Sequence, residues 1–309
     1  MKLRTVLTAT AGVVAGAVVG NRLLERRAGE LRKPLPGVER TYRWRGIDVA
    51  YTVAGDPTDP DLLLVHGVHA AASANEFAAV FDELAEEYHV VAVDLPGFGR
   101  SSRPPLVYSA DLYAEFLGEF TAAVLEAPTV VASSLSGSFA AAGVDDDAIE
   151  RLVLVCPTDE TTRFRPWVRT LLRTPVVGTT LFNLLASKLS IRQFLARDGY
   201  YDAENVDESE IEYAWRTAHQ PGARFAPASF VSGTLDPEID LETALEGLEV
   251  PVTLVWGRDA KVVPLRGGRT LARAAGADLV VVDYAELLPH AEHPEAFLEA
   301  LEAPRKQES

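Results

Sequence analysis

An α/β fold is predicted, with one mostly parallel sheet covered by helices on both faces and a helical insertion. Three observations carry the prediction. Short, continuously apolar runs alternate with helix-period segments from residue 61 onward. The runs lack polar alternation, the pattern of strands buried on both faces. The alternation breaks only between about 158 and 240, where helical patterns such as "WVRTLLRT", "LFNLLASKL" and "EIEYAWRTAH" stand without a buried strand.

Taken in order, "ERTYRWRG" and "IDVAYTVAG" read as a hairpin turning near Arg45-Gly46. "DLLLVHG" (61–67) is the first buried strand, "FAAVFDELAEEY" (77–88) a helix and "HVVAVDLPG" (89–97) the next strand. Asp111 to Leu125 is a helix with apolar Leu112, Phe116, Leu117 and Phe120 on one face. "TVVASS", "RLVLVCP", "VPVTLVWG" and "ADLVVVD" (277–283) complete the strands. The folded domain therefore spans 38–303, with the helical insertion at 158–240 inside it and a short tail at 304–309.

Residues 1–37 form a separate N-terminal segment. Thr5 to Asn21 carries no charge and is followed by Arg22, Arg26, Arg27, Arg32 and Lys33. At about 1.5 Å per residue this stretch barely reaches across a bilayer core. Three readings stand: a membrane anchor, a cleaved signal peptide ending near Ala15-Gly16-Ala17, and a surface helix or tail. The stronger positive flank after the segment would keep the main domain on the cytoplasmic face, or in the cytoplasm without an anchor. "KPLPG" (33–37) reads as the linker.

The net charge is −16, and nucleic acid, which needs a basic stripe, is excluded as a partner. Only five of the 29 basic residues are Lys, and the acidic surface suits a protein kept soluble in concentrated salt, a halophilic trait. The single cysteine, Cys156, forms no internal disulfide and reads as a small buried hydrophobe. No His/Cys cluster has zinc spacing and no phosphate-binding glycine pattern follows a strand, so neither metal nor cofactor is expected.

The stretch "VVASSLSGS" (130–138) ends a strand and carries four serines. A serine at a strand's carboxyl end, on a sharp turn into a helix, points into the crevice where open sheets bind ligands. The turn demands small residues two before and two after the nucleophile. Both Ser134 and Ser136 satisfy this, and the end of the apolar run at Ala132 favours Ser134.

Four further segments extend the pattern. "LLLVHGVHAAASANEF" sets His66-Gly67 at a strand end, "VVAVDLPGFGRSSRP" (90–104) gives D-L-P-G-F-G-x-S, and "WGRDAKVVP" and "LLPHAEHPEAF" follow later. In order and spacing these resemble the α/β-hydrolase family over residues 40–303, with the insertion in the place of that family's cap. The resemblance implies a Ser–His–Asp triad in that chain order, and an oxyanion hole from the backbone N–H groups of Val68 and Leu135.

The chain departs from the family at both remaining triad positions. Ala260 stands where the acid is expected, one residue after Asp259, and Leu287 stands where the histidine is expected. A serine hydroxyl without a base is a poor nucleophile. The candidates are Ser134 as nucleophile, His290 as base and Asp259 as acid, with Asp159 as a second possible acid. His69 and His219 are further pocket candidates, whereas His66 and His89 read as structural. Two functions follow. One is a serine hydrolase acting on a small or lipid-like ester. The other is a non-catalytic binding protein of the same fold, which the missing His and Asp support.

Overall fold

The computed structural model describes residues 2–161 and 167–302; the side chains of residues 2–11 are not described. The predicted tail at 304–309 and part of the insertion, 162–166, lie outside the described residues.

The hairpin is present, with β1 (Val38–Trp44) antiparallel to β2 (Ile47–Ala54). After it come β3 (Asp61–Val65), β4 (His89–Val93), β5 (Thr129–Ser133), β6 (Arg151–Val155), β7 (Val252–Gly257) and β8 (Asp278–Val282). They form one eight-stranded sheet in the order β1-β2-β4-β3-β5-β6-β7-β8. Every pair from β4 to β8 is parallel, and β2 meets β4 antiparallel.

Helix α1 is Lys2–Ala28, and α2 (Phe81–Glu87), α3 (Ala110–Val124) and α4 (Ser136–Gly143) lie between the early strands. One apolar cluster, holding Tyr113, Phe116 and Phe120 of α3, packs against one face of the sheet. A second, holding Phe77, Phe81 and Phe297, covers the other. Alternate residues of one strand feed the two clusters, Leu63 and Val65 the first and Leu62 and Leu64 the second. That is why β3 shows no polar alternation.

Between β6 and β7 the described residues form helices and no strand: α5 (Trp167–Arg173), α6 (Val177–Leu185), α7 (Lys188–Phe194), α8 (Glu208–Ala218), α9 (Phe225–Phe230) and α10 (Leu241–Glu246). Helices α11 (Leu265–Ala274), α12 (Pro289–Glu292) and α13 (Pro294–Glu302) complete the chain order.

The membrane-anchor expectation for residues 5–21 is not supported. Among the described residues no helix is long and apolar enough to cross a membrane. Gly12, Gly16, Gly20 and the threonines dilute the hydropathy of α1, and Asn21 and Arg22 continue the same helix. The carboxyl half of α1 packs on the insertion. Asn21 Nδ2 donates to Thr180 Oγ1 at 3.0 Å, Asn183 Nδ2 donates to Asn21 Oδ1 at 3.1 Å, and Gln220 Nε2 donates to Gly29 O at 2.8 Å. The segment "KPLPG" is pinned by Leu35, which is buried in the second core cluster.

The helix that carries the serine turn is held by two glycines. A Cβ on Gly118 of α3 would lie 2.2 Å from Gly143 O, and one on Gly143 of α4 would lie 2.1 Å from Ala114 O. Only hydrogen side chains permit this backbone approach. We therefore expect Gly118→Ala to push α3 from α4 and cost about 1–3 kcal/mol in denaturant unfolding, the usual penalty for overpacking. An unchanged unfolding midpoint would show that the helices are not in such close contact.

Candidate active site

Strand β5 ends at Ser133, and Ser134 adopts φ 53°, the left-handed region that a non-glycine residue enters at a cost of about 1–2 kcal/mol. The turn is over-determined by its neighbours. Ser134 N–H donates to Val155 O at 2.8 Å, and Ser134 O accepts from Gly137 N–H at 3.0 Å. Ser133, Leu135 and Ser136 are buried, and Ser134 alone of these four keeps solvent contact. The small residues are sterically required: a Cβ on Gly137 would sit 3.0 Å from Pro157 Cβ, and Ser136 Oγ donates to His66 O at 2.7 Å.

Ser134 opens onto a pocket of about 320 Å³ between the strand ends and the insertion. Its floor includes Gly67, Val68, Glu76, Ser133 and Ser134, and its roof comes from α6 to α8 with Leu185, Ile191, Phe194, Glu210 and Tyr213. The backbone N–H groups of Val68 and Leu135 donate to no protein acceptor among the described residues. Val68 lines the pocket and Leu135 follows Ser134 in the turn, and unpaired N–H groups at two such positions are what an oxyanion hole needs.

His66 is structural, as expected. Its Nε2 accepts from Leu95 N–H at 3.1 Å, so Nδ1–H donates to Gly67 O at 2.7 Å. His89 bonds Asp61 Oδ1 at 2.6 Å at the far end of the sheet.

His69 lines the pocket, but its Nδ1 accepts from Ala71 N–H at 3.3 Å. That bond leaves Nε2 protonated, a donor and not a base. Burial lowers its pKa to about 4, outweighing the Glu76 charge, so the ring is neutral at pH 7. His219 does not reach this pocket. Its ring stacks on Trp215 at 4.4 Å and faces a separate cleft between α1 and the insertion.

His290 is fully buried beneath the pocket and has a different acid from the expected one. Its Nε2 lies 3.4 Å from Glu76 Oε1, and its ring packs on Phe77 and Phe297. Asp259 is half-buried in the turn after β7, where its N–H donates to Ala285 O at 3.0 Å, and does not line the pocket. Asp159 is committed elsewhere, with Oδ2 accepting from Leu241 N–H at 2.7 Å. Leu287 lines the pocket at the position where the histidine was expected, and Ala260 is buried.

Glu76 is the residue that sequence reasoning missed. It sits on a single 3-10 turn, Ala74–Phe77, after the His-Gly strand end. Its Oε2 accepts from Gly67 N–H at 2.9 Å. A Cβ on Gly67 would lie 3.3 Å from Glu76 Oε2, 3.3 Å from Ser134 Cβ and 3.4 Å from Ser133 Oγ. One point thus touches all three side chains, and the absence of a side chain on Gly67 keeps the space between them open. Burial would raise the Glu76 carboxyl, but the His290 imidazole and the Ser133 hydroxyl prevail and lower its pKa to about 2. Glu76 Oε1, Ser133 Oγ and both His290 nitrogens are buried without a well-aligned hydrogen-bond partner. Native proteins rarely leave such atoms unpaired away from a functional site.

These shifts fix an acid response. The folded pKa of Glu76, about 2, lies below the ordinary 4.5. Its contribution is therefore full above pH 4.5 and lost as pH falls toward 2. His69, lowered from 6.5 to about 4, is held neutral by the fold, so its contribution fades as pH falls from 6.5 toward 4. Unfolding midpoints measured across this range should show both losses. Glu76→Gln should remove the lower one and His69→Asn the upper one; unchanged profiles would contradict the assignment.

The sequence profile described as the alpha/beta hydrolase family matches residues 62–300. The chain is 29% identical over 249 residues to a pimeloyl-[acyl-carrier protein] methyl ester esterase of Aeromonas hydrophila, covering 79% of this chain and 94% of that one. It is 25% identical over 281 residues to the 2-hydroxy-6-oxo-6-(2'-aminophenyl)hexa-2,4-dienoic acid hydrolase of Metapseudomonas resinovorans, covering 85% and 89%. Among solved structures, a serine hydrolase of carbazole degradation superposes with a TM-score of 0.70 at 21% identity, covering 86% of this chain and 97% of that one. The relatives support a hydrolase as the broad class. With the eight-stranded sheet, the serine turn and the profile match over most of its length, this chain belongs to the alpha/beta hydrolase family.

Proposed function

We propose that the protein is a serine hydrolase that cleaves a small, mostly apolar ester, with Ser134 as nucleophile and Glu76 in the place of the usual histidine base. The observation that carries this reading is the cluster around Gly67: Ser134, Ser133 and the buried Glu76 carboxylate converge on one space beside unpaired Val68 and Leu135 N–H groups. The methyl ester esterase among the relatives supports an ester as the substrate class.

In the proposed reaction, Ser134 Oγ bonds to the ester carbonyl carbon as its proton passes to Glu76. The carbonyl oxygen becomes an oxyanion held by the two N–H groups. Collapse breaks the C–O bond, and the leaving alkoxide takes the proton from Glu76. Water then repeats the sequence on the acyl-serine and returns the enzyme. The negative charge moves from carboxylate to oxyanion and back, so the pocket's total charge stays constant. His290 takes the role of positioning residue behind Glu76. A carboxylate with a pKa of about 2 is a far weaker base than an imidazole, so slow turnover and a preference for activated esters are expected.

The position of Leu287 favours a second reading. It lines the pocket where a histidine would stand, and no lining residue is a basic imidazole facing Ser134. On that reading the protein binds its ligand without turnover.

Fluorophosphonate labelling separates the two. It is run at high salt, which screens the −16 charge. The hydrolase should label at Ser134, lose labelling in Ser134→Ala, and slow by about 10²-fold or more in Glu76→Gln, the usual range for removing a general base. Folded wild-type protein that does not label would leave the binding reading in place. Labelling that is equally fast in Glu76→Gln would remove Glu76 from the mechanism.

A further inference from the structure

We infer that the ligand of this pocket carries a positive charge, and that carboxylate ligands are excluded. Where this ligand is the substrate, the inference rests on the reading above and narrows it to a cationic ester. The pocket holds two carboxyl groups, Glu76 on the floor and Glu210 on the roof, and no Lys or Arg among its lining residues. Its one histidine, His69, is neutral at pH 7. The two cations of the roof helix α7 are already answered, Lys188 by Glu212 and Arg192 by Glu208.

Two further observations point to a ligand. Ser133 Oγ and Glu76 Oε1 are buried at the floor, near enough for the hydroxyl to lower the carboxyl's pKa but without a well-aligned bond, and both residues line an open volume. Phe194, Tyr213 and Phe230 line the same pocket as the two carboxyls, and aromatic ring faces attract ammonium groups. Phe194 is held in place by stacking on His69 at 5.9 Å.

The roof carboxyl is built to accept a counter-charge. Tyr200 Oη donates to Glu210 Oε2 at 3.0 Å and fixes it. Burial, and then the charges of Glu76 and Asp207, raise the Glu210 pKa against the Tyr200 hydroxyl. A bound ammonium would relieve that repulsion, and a bound carboxylate would add a third negative group. The volume of about 320 Å³ lies at the small end of ligand pockets, so the cation is compact.

The test is calorimetric titration of Ser134→Ala protein with three probes of similar size: benzyltrimethylammonium, its uncharged carbon isostere 2,2-dimethylpropylbenzene, and phenylacetate. The ammonium should bind at least about ten-fold tighter than the isostere, and phenylacetate should not bind measurably. Glu210→Gln should reduce the ammonium's advantage by about ten-fold while leaving the isostere's affinity unchanged. Phenylacetate binding as tightly as the ammonium, equal affinity of ammonium and isostere, or no ammonium binding would each overturn the inference. The protein used lacks the nucleophile, so the result is independent of catalysis. Failed Ser134 labelling with ammonium preference intact would reject only the hydrolase, and efficient labelling with phenylacetate preference would reject only the cation.

Discussion

One buried imidazole sets the geometry on which the pocket depends. His66 follows β3, and its ring accepts the Leu95 N–H at the end of β4 while its carbonyl accepts the Ser136 hydroxyl at the start of α4. Three strand ends are thereby fixed to one residue by bonds of 2.7 to 3.1 Å. Each bond uses a group that burial would otherwise leave unpaired. The same ring orients the Gly67 carbonyl, and the Gly67 N–H on the other side of that residue holds Glu76. The loop carrying Val68 N–H, the serine turn and the carboxylate are therefore positioned together.

The fold was legible because it is written in local patterns. Buried strands need continuous apolar runs, and "DLLLV", "HVVAV" and "RLVLV" became β3, β4 and β6. The serine turn was legible because its sterics leave few choices of residue: small side chains at Ser136 and Gly137 meet His66 O and Pro157. The expected resemblance to the α/β hydrolases held over nearly the range anticipated. The N-terminal segment was less legible. Its missing charges suggested a membrane, but they do not show that Asn21 meets Thr180 and Asn183, residues distant in sequence.

The charged residues of the candidate site were the least legible part, for a physical reason. Glu76 is one of 45 acidic residues in a chain that carries them over its whole surface. It belongs to no spaced motif, and what distinguishes it is burial, which a sequence does not display. The one available signal was its setting, a lone charge in "HAAASANEF", where every other residue from Ala70 to Phe77 is uncharged. Asp259 drew attention by being next to the family position. A one-residue offset in a tight turn redirects a side chain, and this one is half-buried outside the pocket.

The departures at Leu287 and Ala260 and the placement of Glu76 fit one physical account. An imidazole in the crevice needs a carboxylate behind it to fix its tautomer and offset the charge it acquires. In this chain the order is reversed: the carboxylate of Glu76 faces the pocket and the imidazole of His290 lies behind it. With no ring in the crevice, an acid after β7 has nothing to orient. Leu287 closes the vacated wall with an apolar side chain, and Ala260 is buried. The Glu286 carboxylate beside Leu287 is satisfied locally by Lys261 and does not line the pocket. The reversal also changes the pocket's field. A neutral imidazole would present no charge to a ligand, whereas Glu76, with His290 3.4 Å away, puts a carboxylate in the same pocket as Glu210. Charge selection and the exchanged base, as proposed, would both follow from placing one carboxylate beside Gly67.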